Sequence, residues 1–237
     1  MIDFSKDLLF RDALLLVINK PSGVAVHKGM GNGPHLEDTL KELAFGLPNP
    51  PQLAHRLDAG TSGCLILGRH KVALKHLGHL FETNQIKKTY WAIVIGHPEQ
   101  DSGVIDFPLM KQSQDKRRWW MKVDPHGQEA ITEYRVLHRS DCNLSFLELT
   151  PITGRTHQLR VHCQAMGFPI LGDAIYGYQD DTRHMFLHLH ARGVEIPYHQ
   201  KKPVIKVVAP LSPHMLDTCT EYGVEYTSGY GMDQDDK

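Results

Sequence analysis

The chain carries His55-Arg56-Leu57-Asp58, followed at once by Ala59-Gly60-Thr61-Ser62-Gly63. An arginine and a carboxylate stand two positions apart, ahead of the apolar run Cys64-Leu65-Ile66-Leu67, which reads as a buried strand. A carboxylate at a strand edge, beside a turn of Gly, Thr and Ser, sits where a loop can hold it in a cleft. Asp58 is therefore a candidate nucleophile or base. A plain turn cap uses the same residue type at the same place, and the residues by themselves leave both readings open.

Other side chains of chemical interest are weaker signals. The sixteen histidines raise a metal site as a possibility to be weighed. His157 and His162 are five apart on a predicted helix, so their rings diverge, unlike a His-x-x-x-His pair. His188 and His190 alternate on a predicted strand, but no third ligand accompanies them, and a structural role is the better reading. The four cysteines are scattered without a Cys-x-x-Cys pair, which speaks against a disulfide framework or a zinc cluster. Lys111, Lys116, Arg117, Arg118, Trp119, Trp120 and Lys122 form a basic stretch interleaved with tryptophan, the pairing of phosphate attraction and stacking that suits RNA. A solvated hairpin is the alternative reading.

The elements that must position these groups follow from periodicity. Leu14-Leu15-Leu16-Val17-Ile18 is a buried strand, ended by the turn Asn19-Lys20-Pro21-Ser22-Gly23. After a glycine-rich loop over 29–34, helical spacing appears at Leu36, Leu40, Leu43 and Ala44, and Pro48-Asn49-Pro50-Pro51 leads into a strand carrying His-Arg-Leu-Asp. A second helix is predicted over 70–83, and strands over 89–95, 103–109, 129–137, 144–150, 186–190 and 204–208. A helix over 155–166 stops at Gly167, a natural C-cap. Strands outnumber helices and follow one another in sequence, which predicts an α+β domain with a largely antiparallel sheet.

Composition narrows the class. At 237 residues, 41% apolar and 22% charged, the chain is an ordinary globular protein of one large domain. No apolar run approaches the ~20 residues of a membrane span, and the N-terminus lacks a signal peptide's basic start, so the chain reads as cytoplasmic. The net charge is −1, but residues 221–237 hold five acids and one lysine. The first 220 residues then carry 25 Lys and Arg against 22 Asp and Glu, so any nucleic-acid surface is a local patch. The acidic end reads as a flexible tail beyond a domain over 8–215.

His-Arg-Leu-Asp followed by Thr-Ser-Gly resembles the active-site motif of the RluA-type pseudouridine synthases, which isomerise uridine in RNA. Three further segments match that family in order. Asn19-Lys20-Pro21-Ser22-Gly23 resembles its Lys-Pro-x-Gly motif, and Lys88-Thr89-Tyr90-Trp91-Ala92 resembles the strand bearing its tyrosine. Pro151-Ile152-Thr153-Gly154-Arg155-Thr156-His157-Gln158-Leu159-Arg160 resembles the helix that supplies a basic partner, and it continues into Gly172-Asp173. The resemblance covers nearly the whole chain.

It implies a pseudouridine-synthase fold: a large bent mixed sheet, mainly antiparallel, flanked by helices, with a central cleft. Asp58 is then the catalytic aspartate, Arg160 the cation that keeps it charged in a dry pocket, and Tyr90 the ring against the uracil, with a part in removing the C5 proton. Three routes stay open for Asp58: attack on the ribose, attack on the base, or removal of the 2′ proton in a glycal route. The target base must leave its stack. Arg56 is placed to fill the vacancy, with His55 beside it as a further RNA contact, and the basic stretch Lys116, Arg117, Arg118 and Trp119 adds RNA contacts of its own. The loops over 27–35 and 110–128 are the candidates for choosing the RNA. The chemistry requires neither cofactor nor metal.

The resemblance is to compact members without an S4-type module, which implies action on a hairpin of tRNA or ribosomal RNA with the catalytic domain alone; nothing in the chain demands a partner, so it reads as a monomer. Ala59-Gly60 is small where family members commonly place a larger residue. Two other classes compete: a catalytically silent RNA-binding protein of the same fold, and a histidine-ligated metallohydrolase. Turnover that depends on Asp58 separates the first, and elemental analysis the second.

Overall fold

The two unbroken apolar runs of the first seventy residues become neighbouring strands. In the computed structural model, which describes residues 7–27, 35–112, 120–178 and 186–224, β2 (Leu15–Lys20) pairs antiparallel with β4 (Ser62–Gly68), Ile18 opposite Leu65. Leu15 to Ile18 and Cys64 to Leu67 are wholly buried. A strand covered on both faces has no reason to alternate, which is why these runs are continuous.

Around this pair grows a ten-stranded mixed sheet. Its remaining strands are β1 (Leu8–Arg11), β3 (Gln52–Leu53), β5 (Lys87–Ile95), β6 (Ser102–Asp106), β9 (Ile131–Arg139), β10 (Leu144–Pro151), β11 (Leu189–Ile196) and β12 (Ile205–Val208). The main path runs β1-β2-β4-β11-β5-β10-β9-β6. Among the described residues every strand pairing of this sheet is antiparallel except β4 with β11, where Ser62 faces His190 and Gly63 faces Ala191. A separate two-stranded ribbon joins β7 (Leu109–Lys111) to β8 (Met121–Val123). The expected α+β architecture with a mainly antiparallel mixed sheet is what the chain adopts.

Alternation reappears at the centre of the sheet. Ala92 and Val94 of β5, with Leu147 and Leu149 of β10, pack on one face with Leu159 and Cys163 of α2 (Gln158–Ala165). Trp91, Ile93 and Phe146 pack on the other with Met215 and Cys219 of α3 (Pro213–Glu221). The period of two thus assigns Tyr90, in step with Ala92 and Val94, to the α2 face. A third cluster joins β2 and β4 to α1 (Lys71–Glu82) through Leu77 and Leu80. Among the described residues no helix is long and apolar enough to cross a membrane.

Several predicted elements shift. Residues 55–58 are not strand: β3 stops at Leu53, and the chain leaves the sheet while Ala54 N–H still donates to Ile66 O at 3.1 Å. The predicted strand over 103–109 breaks at Phe107-Pro108, because proline offers no N–H to a ladder. The helix over 36–44 is wound as a 3-10 helix with Leu36, Leu40 and Leu43 buried. Helix α2 starts at Gln158 rather than 155, since His157 sits in the left-handed region at φ 54°. Helix α3 was not foreseen, and it carries ordered chain through Glu221 with Val224 buried beyond it. The tail boundary placed at 221 therefore falls inside packed structure. Residues 225–237, and the glycine-rich loop over 29–34, lie outside the described residues.

Two side chains lock the β4 region. His55 Nε2 accepts the Ile66 N–H at 3.0 Å, taking over the ladder where the backbone departs, and its ring lies 4.6 Å from that of Phe81. His190 Nδ1 meets Ser62 Oγ at 2.8 Å across the parallel pair. Burial holds the His55 pKa down at about 3, with the Lys88 charge adding to the effect, and that of His190 at about 4.

Two predictions follow from this packing. Gly63 has φ +100°, and a Cβ there would lie 2.3 Å from the Ala191 carbonyl oxygen. Gly63→Ala is expected to cost about 3 kcal/mol, read as a lower urea midpoint at an unchanged slope. The second prediction concerns pH. Both histidines are neutral in the fold and charge on unfolding below their usual 6.5. The unfolded chain then binds more protons, so stability is full above 6.5 and falls as the pH drops toward 4. Each histidine contributes at most about 1.4 kcal/mol per pH unit. Urea unfolding at pH 7.5 and pH 5 measures the difference, and equal midpoints would contradict it.

Candidate active site

Asp58 lies in the loop between β3 and β4, and the turn after β2 holds that loop from behind. Lys20 is wholly buried, yet its Nζ donates to the carbonyls of Pro21 at 2.9 Å, Val24 at 2.8 Å and Ala59 at 3.0 Å. Burial pushes its pKa down to about 7, opposed by the charge of Asp58. Three acceptors around one nitrogen match the three donors of an ammonium. The same turn adds Gly23 N–H to Ala59 O at 2.8 Å and Ser22 Oγ to Gly60 O at 2.7 Å. Lys20 is thus a support for the residues that follow Asp58, in keeping with its motif. On the far side, a Cβ on Gly60 would lie 3.1 Å from Leu187 Cβ, which gives the glycine at 60 a steric reason.

The opposite wall is α2 and the segment before it. Thr153 Oγ1 accepts the Ile131 N–H and donates to Gln158 Oε1, which also accepts the Arg155 N–H. Gln158 Nε2 returns to Ile131 O and Thr132 Oγ1. Every polar atom of Gln158 is used, so the Thr-Gly-Arg-Thr-His-Gln segment is a hydrogen-bonded knot fixed to β9. It delivers Arg160 into the interior two residues later.

Arg160 Nη1 donates to Asp58 Oδ2 at 3.0 Å. Its Nε and Nη2 donate to Asp173 Oδ2 at 2.7 Å and Oδ1 at 2.8 Å, a bidentate pair. Burial by itself would raise the Asp173 carboxyl; the Arg160 hydrogen bonds and charge outweigh that and hold it below its usual range. Burial would likewise lower the guanidinium, and the bonds to Asp173 overcome it. Asp173 Oδ1 also accepts the N–H groups of Ile175 and Tyr176 at 2.9 and 3.0 Å. The Asp58 side chain keeps 28% of its surface open, and its Oδ1 takes no hydrogen bond among the described residues. The arrangement offers one tethered and one free carboxylate oxygen at the cleft.

Tyr90 reaches the same place from β5. Its phenol is raised above its ordinary 10 by burial first and by the charge of Asp58 second. Lys88, two residues earlier and so on the same face, is half-buried with its pKa lowered by burial. Its Nζ stands 3.8 Å from where a Cβ on Gly154 would be.

The structure brings Asp58, Arg160 and Tyr90 together. The Arg56 side chain is exposed beside them and makes no hydrogen bond or ion pair among the described residues. His55 does not join them as an RNA contact, because its ring is committed to Ile66 and Phe81. Lys116, Arg117, Arg118 and Trp119 lie outside the described residues, between β7 and β8; Trp120 O closes that ribbon by accepting the Gln112 N–H at 2.7 Å. Of the histidines weighed for metal, His188 Nε2 meets Thr218 Oγ1 while His190 meets Ser62. Among the described residues, no three of His, Cys, Asp and Glu cluster to hold an ion. Asp173, His157 and Tyr176 were missed as site residues. Asp173 carries no local pattern tying it to an arginine thirteen positions earlier, and His157 was weighed only as a metal ligand.

Residues 14–165 match the family described as RNA pseudouridylate synthase. An uncharacterised RNA pseudouridine synthase of Zymomonas mobilis is 41% identical over 214 residues, 90% of this chain and 97% of that protein. The ribosomal large subunit pseudouridine synthase C of Vibrio cholerae is 33% identical over 90% of this chain and 68% of its own length. The dual-specificity RNA pseudouridine synthase RluA of Yersinia pestis is 38% identical over 81% of this chain and 92% of its own. Among solved structures, human RNA pseudouridylate synthase domain containing 4 superposes with a TM-score of 0.80 at 30% identity, covering 94% of this chain and 95% of that one.

Proposed function

The chain belongs to the RNA pseudouridylate synthase family, and from that premise we propose that its isomerisation of uridine turns on Asp58. The protein is an RNA pseudouridine synthase, an isomerase. One observation carries the assignment within the site. Asp58 Oδ2 is tied to Arg160 at 3.0 Å, Arg160 is locked by Asp173, and the other Asp58 oxygen takes no hydrogen bond among the described residues. A pure binding surface has no use for a carboxylate so prepared.

The reaction breaks the N1–C1′ bond, turns the uracil, and joins C5 to C1′. One proton leaves C5 and one arrives at N1, so the balance needs no oxidant and no transferred group. Asp58 meets the nucleotide through its free oxygen, while Arg160 keeps the carboxylate aimed. Tyr90 supplies the wall against which the base turns. To reach this cleft the base leaves its stack at a cost of a few kcal/mol. Exposed Arg56, two residues from Asp58, takes its place with a planar guanidinium that also bonds phosphate. A relative named for the ribosomal large subunit supports ribosomal RNA as a substrate class, and the substrate proposed is a hairpin of ribosomal RNA or tRNA.

The test uses tRNA and ribosomal RNA transcripts carrying tritium at uridine C5. Wild type is expected to release tritium, and Asp58→Asn to lose about 10³-fold or more of that rate while keeping its melting temperature and RNA binding. Turnover by Asp58→Asn near the wild-type rate would remove Asp58 from the reaction. Arg56→Ala is expected to keep the fold and slow single-turnover release about tenfold or more, since the vacated stack is left unfilled.

A further inference from the structure

Asp58 Oδ2 has a second neighbour besides Arg160. His157 Nε2 stands 3.8 Å from it, and on the other side of the ring Nδ1 lies 2.8 Å from the Tyr176 hydroxyl. Histidine is among the residues that tolerate the left-handed region His157 occupies at φ 54°, and three positions later the chain delivers Arg160. Arginine and imidazole therefore approach the same oxygen from one short segment.

The Tyr176 hydroxyl decides what the imidazole presents to Asp58. That oxygen accepts the Met121 N–H at 2.8 Å, which uses one of its lone pairs. Its single proton has His157 Nδ1 as a hydrogen-bond acceptor at 2.8 Å. With the hydroxyl donating, Nδ1 is an acceptor, and a neutral His157 must carry its proton on Nε2, facing Asp58. Burial favours that neutral form by lowering the imidazole pKa, against the opposing charges of Asp58 and Asp173 and with the help of Arg160. Besides Tyr176, those are the charged or titratable groups that face the ring among the described residues.

We propose that His157 is a positioning residue: with its tautomer set by Tyr176, it turns Nε2–H toward Oδ2 of Asp58 and, with Arg160, dictates that Oδ1 is the oxygen that meets the substrate. The inference rests on the reading of Asp58 as the reacting carboxylate. It also joins β8, through the Met121 N–H, to the centre of the cleft by a line of four groups: Met121, Tyr176, His157 and Asp58. A merely structural histidine at the start of α2 would fill space with either tautomer and leave the pH profile alone.

The experiment has two arms. In wild-type protein labelled with ¹⁵N, long-range proton–nitrogen correlation at neutral pH should find His157 as the Nε2–H tautomer; an Nδ1–H tautomer overturns the proposal whatever the variants do. In the second arm, Tyr176→Phe keeps the ring that Arg160 faces at 5.2 Å and deletes only the hydroxyl. Single-turnover tritium release on the labelled RNA is expected to fall about tenfold with KM within about twofold. The acid limb of its pH profile should move to higher pH, because the neutral imidazole has lost a donor. His157→Gln, which keeps a donor that does not titrate, should retain more activity than His157→Ala and lose that acid limb. Folded Tyr176→Phe and His157→Gln that both keep the wild-type rate and profile, beside an inactive Asp58→Asn, would overturn this inference alone. An active Asp58→Asn in the same assay would overturn the reading beneath it.

Discussion

A single guanidinium, Arg160, holds two carboxylates at once, and the cleft depends on that sharing. Asp173 takes two of its donors in parallel and Asp58 takes a third. The three residues come from the loop before β4, from α2 and from the segment after it, so one side chain fixes elements about a hundred positions apart. Only arginine does this. Its fork is planar, always charged, and wide enough to serve two acceptors without moving. Withdrawing such charges from water is costly, and the site tolerates it because every buried oxygen of Asp173 is satisfied, two of them by Arg160 and one also by backbone N–H groups. Asp173 thereby absorbs the burial while Asp58 stays at the opening with one oxygen unclaimed.

A second buried cation works by a different logic. Lys20 sits among three backbone carbonyls rather than carboxylates. It adds no orienting bond to Asp58; it fixes the backbone at Ala59, so that the loop cannot swing as a hinge. The division is physically sensible. The residue that must aim a carboxylate needs a rigid fork, and the residue that must gather carbonyls from one turn needs a compact point donor.

Much of this was legible in the chain. The runs at 14–18 and 64–67 identified β2 and β4 because both are buried on two faces, and the helix expected over 70–83 is α1, which buries Ala73, Leu77 and Leu80. Asp58, Tyr90 and Arg160 were named from motifs, and the fold brings them to one cleft. What escaped has recognisable causes. Helix α3 buries Met215, Thr218 and Cys219, soft or polar positions that give a weak stripe, although Ser212-Pro213 is a sound start signal. Residues 55–58 looked like strand because the ladder does continue there, but through the His55 ring instead of the backbone. Pro108 divided a strand that apolar content had joined. The roles of Asp173, His157 and Tyr176 are matters of three-dimensional contact, which no spacing along the chain encodes.

The parallel pairing of β4 with β11 has a consequence for the order of assembly. Antiparallel neighbours such as β1 and β2 or β9 and β10 are joined by short connections and can close locally, but β4 must wait for a strand some 125 residues downstream. Long-range closure of this kind is slow and comes late. On a ribosome, β2 and β4 would emerge and pair while the side of β4 destined for β11 stayed uncovered, and Asp58 would lack both Arg160 and the wall at Leu187. The nascent chain thus holds an unfinished sheet edge until β11 appears, a window in which a chaperone finds its hold. Catalytic competence has to wait for β11 and α2 rather than growing with the chain.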